Sequence, residues 1–229
     1  MSSGILHGRV ALVTGGAARI GAEICQSLAS EGAIVAVHYH RSLAAAEDLI
    51  EVIENNGGEA FAIRADLAQV EDRQSLIESV IERAGRLDIL VNNASIFERI
   101  PLESMTSDAA RAMWVINAEA PLMLTHHAAA HLRFEGSDEP GSVINIIDNA
   151  SRRNDWPNHS HYCASKAAVD TMTMSLARVF GPKIRFLCVS PAAVATDFVQ
   201  GRDRNALESA SAAAFVNGLS GKTCLLYTS

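Results

Sequence analysis

Two residues in this chain of 229, Tyr162 and Lys166, are spaced for acid–base chemistry. Four positions apart, they share one face of a helix, where an ammonium beside a phenol favours the phenolate. An unperturbed tyrosine titrates near ~10 and carries protons poorly at neutral pH, so the lysine would supply what general acid–base catalysis requires. The same spacing on a solvated helix gives only an ordinary aromatic and a surface cation, and the rest of the chain has to decide between the two. A second constellation lies near the N-terminus, where the apolar run Val10 to Val13 ends at Thr14 and gives way to Gly15, Gly16 and Gly21. Ile20, Ile24 and Leu28 then recur every four residues, as on one helix face. Strand, glycine turn and helix together form a phosphate cradle: glycines let a pyrophosphate approach backbone N–H groups, and the helix N-terminus adds the positive end of its dipole. A dinucleotide is the expected occupant, although a glycine turn on its own can simply join two packed elements.

The elements that must position these residues are read from periodicity and punctuation. Ile34 to Tyr39 is a second β-rich run, and the helical pattern after it, with Leu49, Ile50 and Ile53, stops at Gly57-Gly58. Phe61 to Ile63 is a third strand, Val70 to Ala84 a helix closed by Gly85, and Ile89 to Val91 a fourth strand running into Asn92-Asn93-Ala94-Ser95. Helix is expected over Ser107 to Leu132, strand over Ser142 to Ile147, helix over His161 to Phe180 and strand over Ile184 to Val189. Strands alternating with helices of this length predict an α/β fold, a doubly wound parallel sheet with helices on both faces and right-handed crossovers. Ligands in such sheets bind beyond the carboxyl ends of the strands. Thr14 to Gly21, His40-Arg41-Ser42, Asp66, Asn92 to Ser95 and Asp148 each follow a strand, so they converge on one crevice.

Composition narrows the class. With 48% hydrophobic residues and only 6 prolines, the chain is expected to form a single domain over 1–229 with a substantial core. A formal charge of -7 leaves no broad basic surface for nucleic acid or an anionic membrane, so any phosphate site must be local. The 4 cysteines form no C-x-x-C pair and read as buried free thiols of a reducing compartment. Met1 to Gly8 lacks a basic-then-apolar signal pattern, no apolar run reaches the ~18 residues of a membrane helix, and a cytoplasmic location is expected. His126, His127 and His131 have no adjoining carboxylate or thiolate pattern, so no metal site is expected.

Taken in order, the motifs Thr14-Gly-x-x-x-Arg-x-Gly21, Asn92-Asn93-Ala94, Asn117 and Tyr162-x-x-x-Lys166 resemble the short-chain dehydrogenase/reductase family over about residues 8 to 200. The resemblance implies a Rossmann-type nucleotide fold and a nicotinamide cofactor. It makes Tyr162 the proton donor, has Lys166 hold the nicotinamide ribose and depress the tyrosine pKa, and gives Asn117 a relay water. It also places Gly15, Arg19, Ile20, Gly21, Asp66, Leu67, Asn93, Ala94, Ser95, Pro191, Val194 and Thr196 on the cofactor. Arg19 in a position often taken by glycine, His38-Tyr39-His40-Arg41-Ser42 after strand two, Asn117-Ala-x-Ala-Pro121, and Asp148 where most members have serine are most similar to the pteridine reductases. On that resemblance Asp148 and Phe97 face substrate, Asp148 being counted with Asn117, Tyr162 and Lys166 as catalytic.

Several assignments carry alternatives. Arg41 and Ser42 stand where NAD enzymes place an acidic residue for the ribose 2′-hydroxyl, and a basic side chain suits a 2′-phosphate, so NADPH is expected with His40, Arg41 and Ser42 around it. Ser42 and Asp66 could equally cap the helices that follow them. Phe97 could be core, and Ser151 could replace Asp148, because Asp148 precedes Tyr162 by one residue more than the family spacing. The stretch Gly218 to Ser229 lacks the helix and seventh strand with which the family usually ends, so that strand is expected to be missing and the tail is atypical. The leading expectation is an NADPH-dependent reductase of a pterin or a related carbonyl or imine, working as a homodimer or homotetramer on a small molecule. The runner-up is a 3-oxoacyl-thioester or general carbonyl reductase, and from another class a non-catalytic nucleotide sensor.

Overall fold

A computed structural model describes residues 4–132, 140–149 and 157–191. Six strands form one parallel sheet: β1 (Val10–Val13), β2 (Ile34–Tyr39), β3 (Glu59–Arg64), β4 (Ile89–Asn92), β5 (Gly141–Ile146) and β6 (Ile184–Val189). Their order is β3-β2-β1-β4-β5-β6, so the chain winds outward from β1 in one direction, then crosses back to β4 and winds in the other. The reversal between β1 and β4 opens a crevice at their carboxyl ends.

Both faces of the sheet are covered, which is why β1, β4 and β5 are buried along their whole length rather than alternating with polar residues. Leu12, Ala36 and Leu90 pack on one face with Leu76, Ile77 and Leu124. Ala11, Val13, Val35 and Val37 pack on the other with Ile24, Leu28, Leu49 and Ile53. The second set comes from α1 (Arg19–Ser30) and α2 (Leu43–Asn55), the first from α3 (Val70–Ala84) and α5 (Ala120–Ala128). Helix α3 ends at Gly85, whose φ of 75° is the left-handed cap that glycine takes without steric cost.

One expected element is divided. The helical stretch after Ser107 consists of α4 (Ser107–Trp114), a π-helical turn (Val115–Glu119) and α5. Pro121 has no N–H to give the Asn117 carbonyl four residues before it, and the ladder widens there, with the Ala120 N–H reaching back to Val115. Helix α6 (Ser160–Phe180) carries Tyr162 and Lys166 and packs against this turn and β6. Strand register then aligns the loops: Val13 pairs with Val37 and Val91, Asn92 with Asn145, and Ile146 with Val189. Thr14, His38, Asn93 and Asp148 therefore emerge at one end of the sheet. Among the described residues no helix is long and apolar enough to cross a membrane.

Candidate active site

The glycine turn is built first and tightly. Gly15 has a φ of 61°, and a side chain on Gly21 would collide with the Gly15 carbonyl, so only hydrogen fits where α1 meets the turn. A Cβ on Gly16 would lie 2.9 Å from both Cys25 Sγ and the Val13 carbonyl. Thr14 Oγ1 accepts from the N–H groups of Asn93 and Ala94, each at 3.0 Å. Asn93 Nδ2 in turn donates to the carbonyls of Thr14 (2.9 Å) and Gly15 (3.1 Å). Asn93 and Ala94 thus clamp the end of β1 to the end of β4. On the described geometry they shape the cradle, and the glycine and helix backbone presents the surface to a phosphate.

Tyr162, Asp148 and Lys166 form a second cluster. The Tyr162 hydroxyl donates to Asp148 Oδ2 at 2.8 Å, and this contact puts Asp148 beside the phenol despite its one-residue offset. Ser151 lies outside the described residues. Lys166 is buried, and its Nζ donates to the Ile146 carbonyl at 2.9 Å, from 6.0 Å above the Tyr162 ring centre. One expectation is reversed here: the Tyr162 pKa is raised, first by burial, then by the Asp148 charge and the hydrogen bond to it. Lys166 directs its ammonium to the Ile146 carbonyl and is not among the groups that shift the phenol. Burial lowers the Lys166 ammonium to about 8, with Asp148 and Cys188 opposing the change.

Asn117 is fully used by its neighbours. Its Oδ1 accepts from Ile96 N–H (2.9 Å) and Ser95 Oγ (3.2 Å), and its Nδ2 donates to the Ile96 carbonyl (2.9 Å) and Ser165 Oγ (3.2 Å). Its side chain therefore holds the β4 loop against α6, and the widened turn beneath it leaves its carbonyl without the usual N–H from Pro121. Phe97 stacks on His159 with ring centres 4.4 Å apart and meets Tyr162 edge-on at 4.7 Å. These contacts place Phe97 against Tyr162.

At the far end of the crevice the basic residues are exposed. Arg19 opens α1 with a φ of 54°, a left-handed conformation that explains why glycine suits this position. Arg41 is exposed after β2, and Ser42 stands at the N-cap of α2 without making a capping bond, so the capping role is not the one seen. His40 Nε2 lies 3.7 Å from Asp66 Oδ2. Asp66 Oδ1 accepts from Ala68 N–H at 3.0 Å, turning the chain toward α3, and that bond is the first cause of its lowered pKa. The Leu67 side chain packs in the core, and its carbonyl accepts from Arg73 Nε at 2.8 Å. Ile20 packs beside the core under the turn, and Pro191 closes the described segment after β6. Val194 and Thr196 lie outside the described residues, as does the stretch 218–229.

A model of the short chain dehydrogenase family matches residues 9–206. The chain belongs to the short-chain dehydrogenase family. It is 37% identical to an uncharacterized oxidoreductase of Methylorubrum extorquens over 193 residues, covering 84% of this chain and 75% of that one. A hydroxynaphthalene reductase of Aspergillus fumigatus is 36% identical over 193 residues, covering 84% and 68%. A short-chain dehydrogenase of Burkholderia cenocepacia, solved in complex with NADP, superposes with a TM-score of 0.83 at 35% identity, covering 93% and 90%. The protein is thus an oxidoreductase of the short-chain dehydrogenase fold. Neither curated relative is named as a pteridine reductase, so membership in the family stands and the narrower branch does not follow from them.

One further residue of this dehydrogenase meets the glycine turn, with no role in the motifs above. His38 is 2% exposed, and its Nδ1 accepts from Gly15 N–H at 3.0 Å. A histidine inside an otherwise apolar strand was the signal that could have singled it out.

Proposed function

We propose that the chain is an NADPH-dependent reductase of a planar, ring-conjugated carbonyl or imine. The observation that carries this reading is the 2.8 Å hydrogen bond from Tyr162 to Asp148, with Lys166 buried one helical turn away. Bound NADPH would supply the hydride from its nicotinamide. Tyr162 provides the matching proton, and its raised pKa keeps it in the neutral, donating form throughout the physiological range. In the absence of substrate the phenolic proton is directed at the Asp148 carboxylate. When an amino or ring N–H of substrate donates to the carboxylate, the phenolic proton is free to turn to the atom that accepts hydride. Phe97, stacked on His159 and edge-on to Tyr162, supplies a flat wall beside the donor, which favours a planar substrate.

NADPH rather than NADH is supported by Arg19 and Arg41, both exposed, by Ser42 making no capping bond, and by the NADP held by the Burkholderia relative. Within the planar class two members stand out. A pterin is favoured by Asp148, because a carboxylate can accept the several N–H groups that a pterin carries. A hydroxynaphthalene is favoured by the name of the Aspergillus relative. A homodimer or homotetramer is supported by the small residues Ala164 and Ala167, which would let a second copy pack closely against α6.

A panel of a pterin, a polyhydroxynaphthalene and an acetoacetyl thioester, each with NADPH, tests the reading by loss of nicotinamide absorbance. Turnover of a planar ring compound is expected, and Asp148→Ser should depress pterin turnover more than that of a plain ketone. Turnover of the thioester alone would replace this reading with a 3-oxoacyl reductase. Tight NADPH binding with no oxidation of any kind would make the chain a nucleotide sensor.

A further inference from the structure

His38 meets the glycine turn at more than one point. Its Nδ1 accepts from Gly15 N–H at 3.0 Å, and its backbone carbonyl accepts from Gly16 N–H at 2.9 Å. Since Nδ1 is an acceptor, the ring proton sits on Nε2, 3.2 Å from the Ala65 carbonyl at the end of β3, which accepts it. The imidazole therefore spans three neighbouring strands, from the β1 turn through β2 to the end of β3. On the other side of the turn Asn93 Nδ2 donates to the Gly15 carbonyl. Residue Gly15 is thus held at both ends, its N–H by His38 and its C=O by Asn93, in a conformation with positive φ.

Packing alone does not account for a histidine here. The ring is 2% exposed, at the end of a strand whose Val35, Ala36 and Val37 are also buried, and a buried polar side chain costs stability unless both its nitrogens are satisfied, as they are here. A leucine would fill the space and leave the Gly15 N–H without its acceptor. We propose that His38 is a positioning residue of the cofactor site: its neutral, Nε2-protonated imidazole fixes the orientation of the Gly15 amide and so the edge of the turn that a dinucleotide phosphate meets. The proposal rests on the dinucleotide reading above and adds a residue to it.

The groups that bear on this ring are Gly15 from the β1 turn, the Ala65 carbonyl just after β3, Asp66 next to it, and His40 just after β2. Burial holds the ring far below the usual histidine range, to about 4, and His40 acts in the same direction against Ala65 and Asp66. Protonation puts a second N–H where the Gly15 amide needs an acceptor, so acid loosens the turn.

NADPH binding by the full chain, followed by nicotinamide fluorescence, tests the proposal with His38→Leu and His38→Asn. Asparagine carries an oxygen the same number of bonds from Cβ as Nδ1, so His38→Asn should bind within a few-fold of the parent. His38→Leu should bind at least ~10-fold more weakly, the equivalent of one lost hydrogen bond. Binding by the parent should also weaken as the pH falls toward 4, and His38→Asn should lack most of that loss. Nitrogen-15 spectra of the parent should show His38 protonated on Nε2 and bare on Nδ1, a readout that needs no cofactor. Equal binding by His38→Leu and the parent, failure of His38→Asn to rescue, or the opposite tautomer would each overturn the proposal. If His38→Leu does not fold, the asparagine rescue, its pH profile and the tautomer decide. A parent that binds neither NADPH nor NADH would refute the dinucleotide reading instead, and the tautomer would still be readable.

Discussion

Arg19 breaks two local rules, and both breaches can be priced in stability. Its φ of 54° is left-handed, which costs an L-residue about 1–2 kcal/mol. As the first residue of α1 it also sets a cation against the positive end of the helix dipole, an arrangement unfavourable by about 0.3–1 kcal/mol. Arg19→Gly removes both costs and adds back about 0.5–1 kcal/mol of backbone entropy. The variant without cofactor should be about 1 kcal/mol more stable than the parent, with a melting midpoint higher by about 2–4 °C for a chain of this size. Binding should move the other way. A charge-assisted contact to a phosphate contributes about 1.5–3 kcal/mol, so NADPH affinity should fall by about 10–150-fold while NADH is nearly unaffected. Thermal unfolding and parallel titrations of the two cofactors measure both effects. A variant less stable than the parent, or one that loses NADPH and NADH equally, would refute the reasoning that strain at Arg19 is retained for a 2′-phosphate.

Three further outcomes follow from the same site. Arg41→Asp places a like charge against the 2′-phosphate and should weaken NADPH by at least ~10-fold with little change for NADH; equal losses would remove Arg41 from the site. Lys166, lowered to about 8, should lose its proton as the pH rises through that value, so kcat/KM for reduction should fall above about pH 8 if the ammonium is required. A profile flat well past that point would mean that reduction does not depend on the Lys166 ammonium. Asp148→Ser removes the charge and the acceptor that help raise Tyr162, so tyrosinate absorbance, from only 3 tyrosines in the chain, should appear at lower pH than in the parent. An unshifted titration would mean that burial alone sets the phenol.

The sheet was legible because its strands are largely apolar runs fenced by glycine or a polar loop, as β1 and β2 show. Helix α3 was readable to its ends because Gly85 closes it. The π-helical turn at Val115–Glu119 was not, since periodicity registers apolar spacing and not the N–H that Pro121 lacks. Tyr162 and Lys166 were legible as a pair because helix geometry alone puts them on one face. The sign of the Tyr162 shift was not, because it depends on which neighbour comes within hydrogen-bond reach, and that is the 2.8 Å contact with Asp148, 14 positions away. Asn93 and Ala94 show the same limit: their place after β4 was legible, while their partner, Thr14, lies 79 and 80 positions back in the chain.

The most direct measurement compares single-turnover oxidation of NADPH by the parent and by Tyr162→Phe, with a planar ring substrate and with NADPH affinity measured on the same samples. Phenylalanine keeps the ring that Phe97 meets and removes only the hydroxyl that donates to Asp148. Hydride transfer should fall by at least ~10²-fold, the usual contribution of a positioned general acid, while NADPH affinity stays within about 2-fold. Turnover by Tyr162→Phe within a few-fold of the parent would contradict this, because the proton would then come from somewhere other than Tyr162.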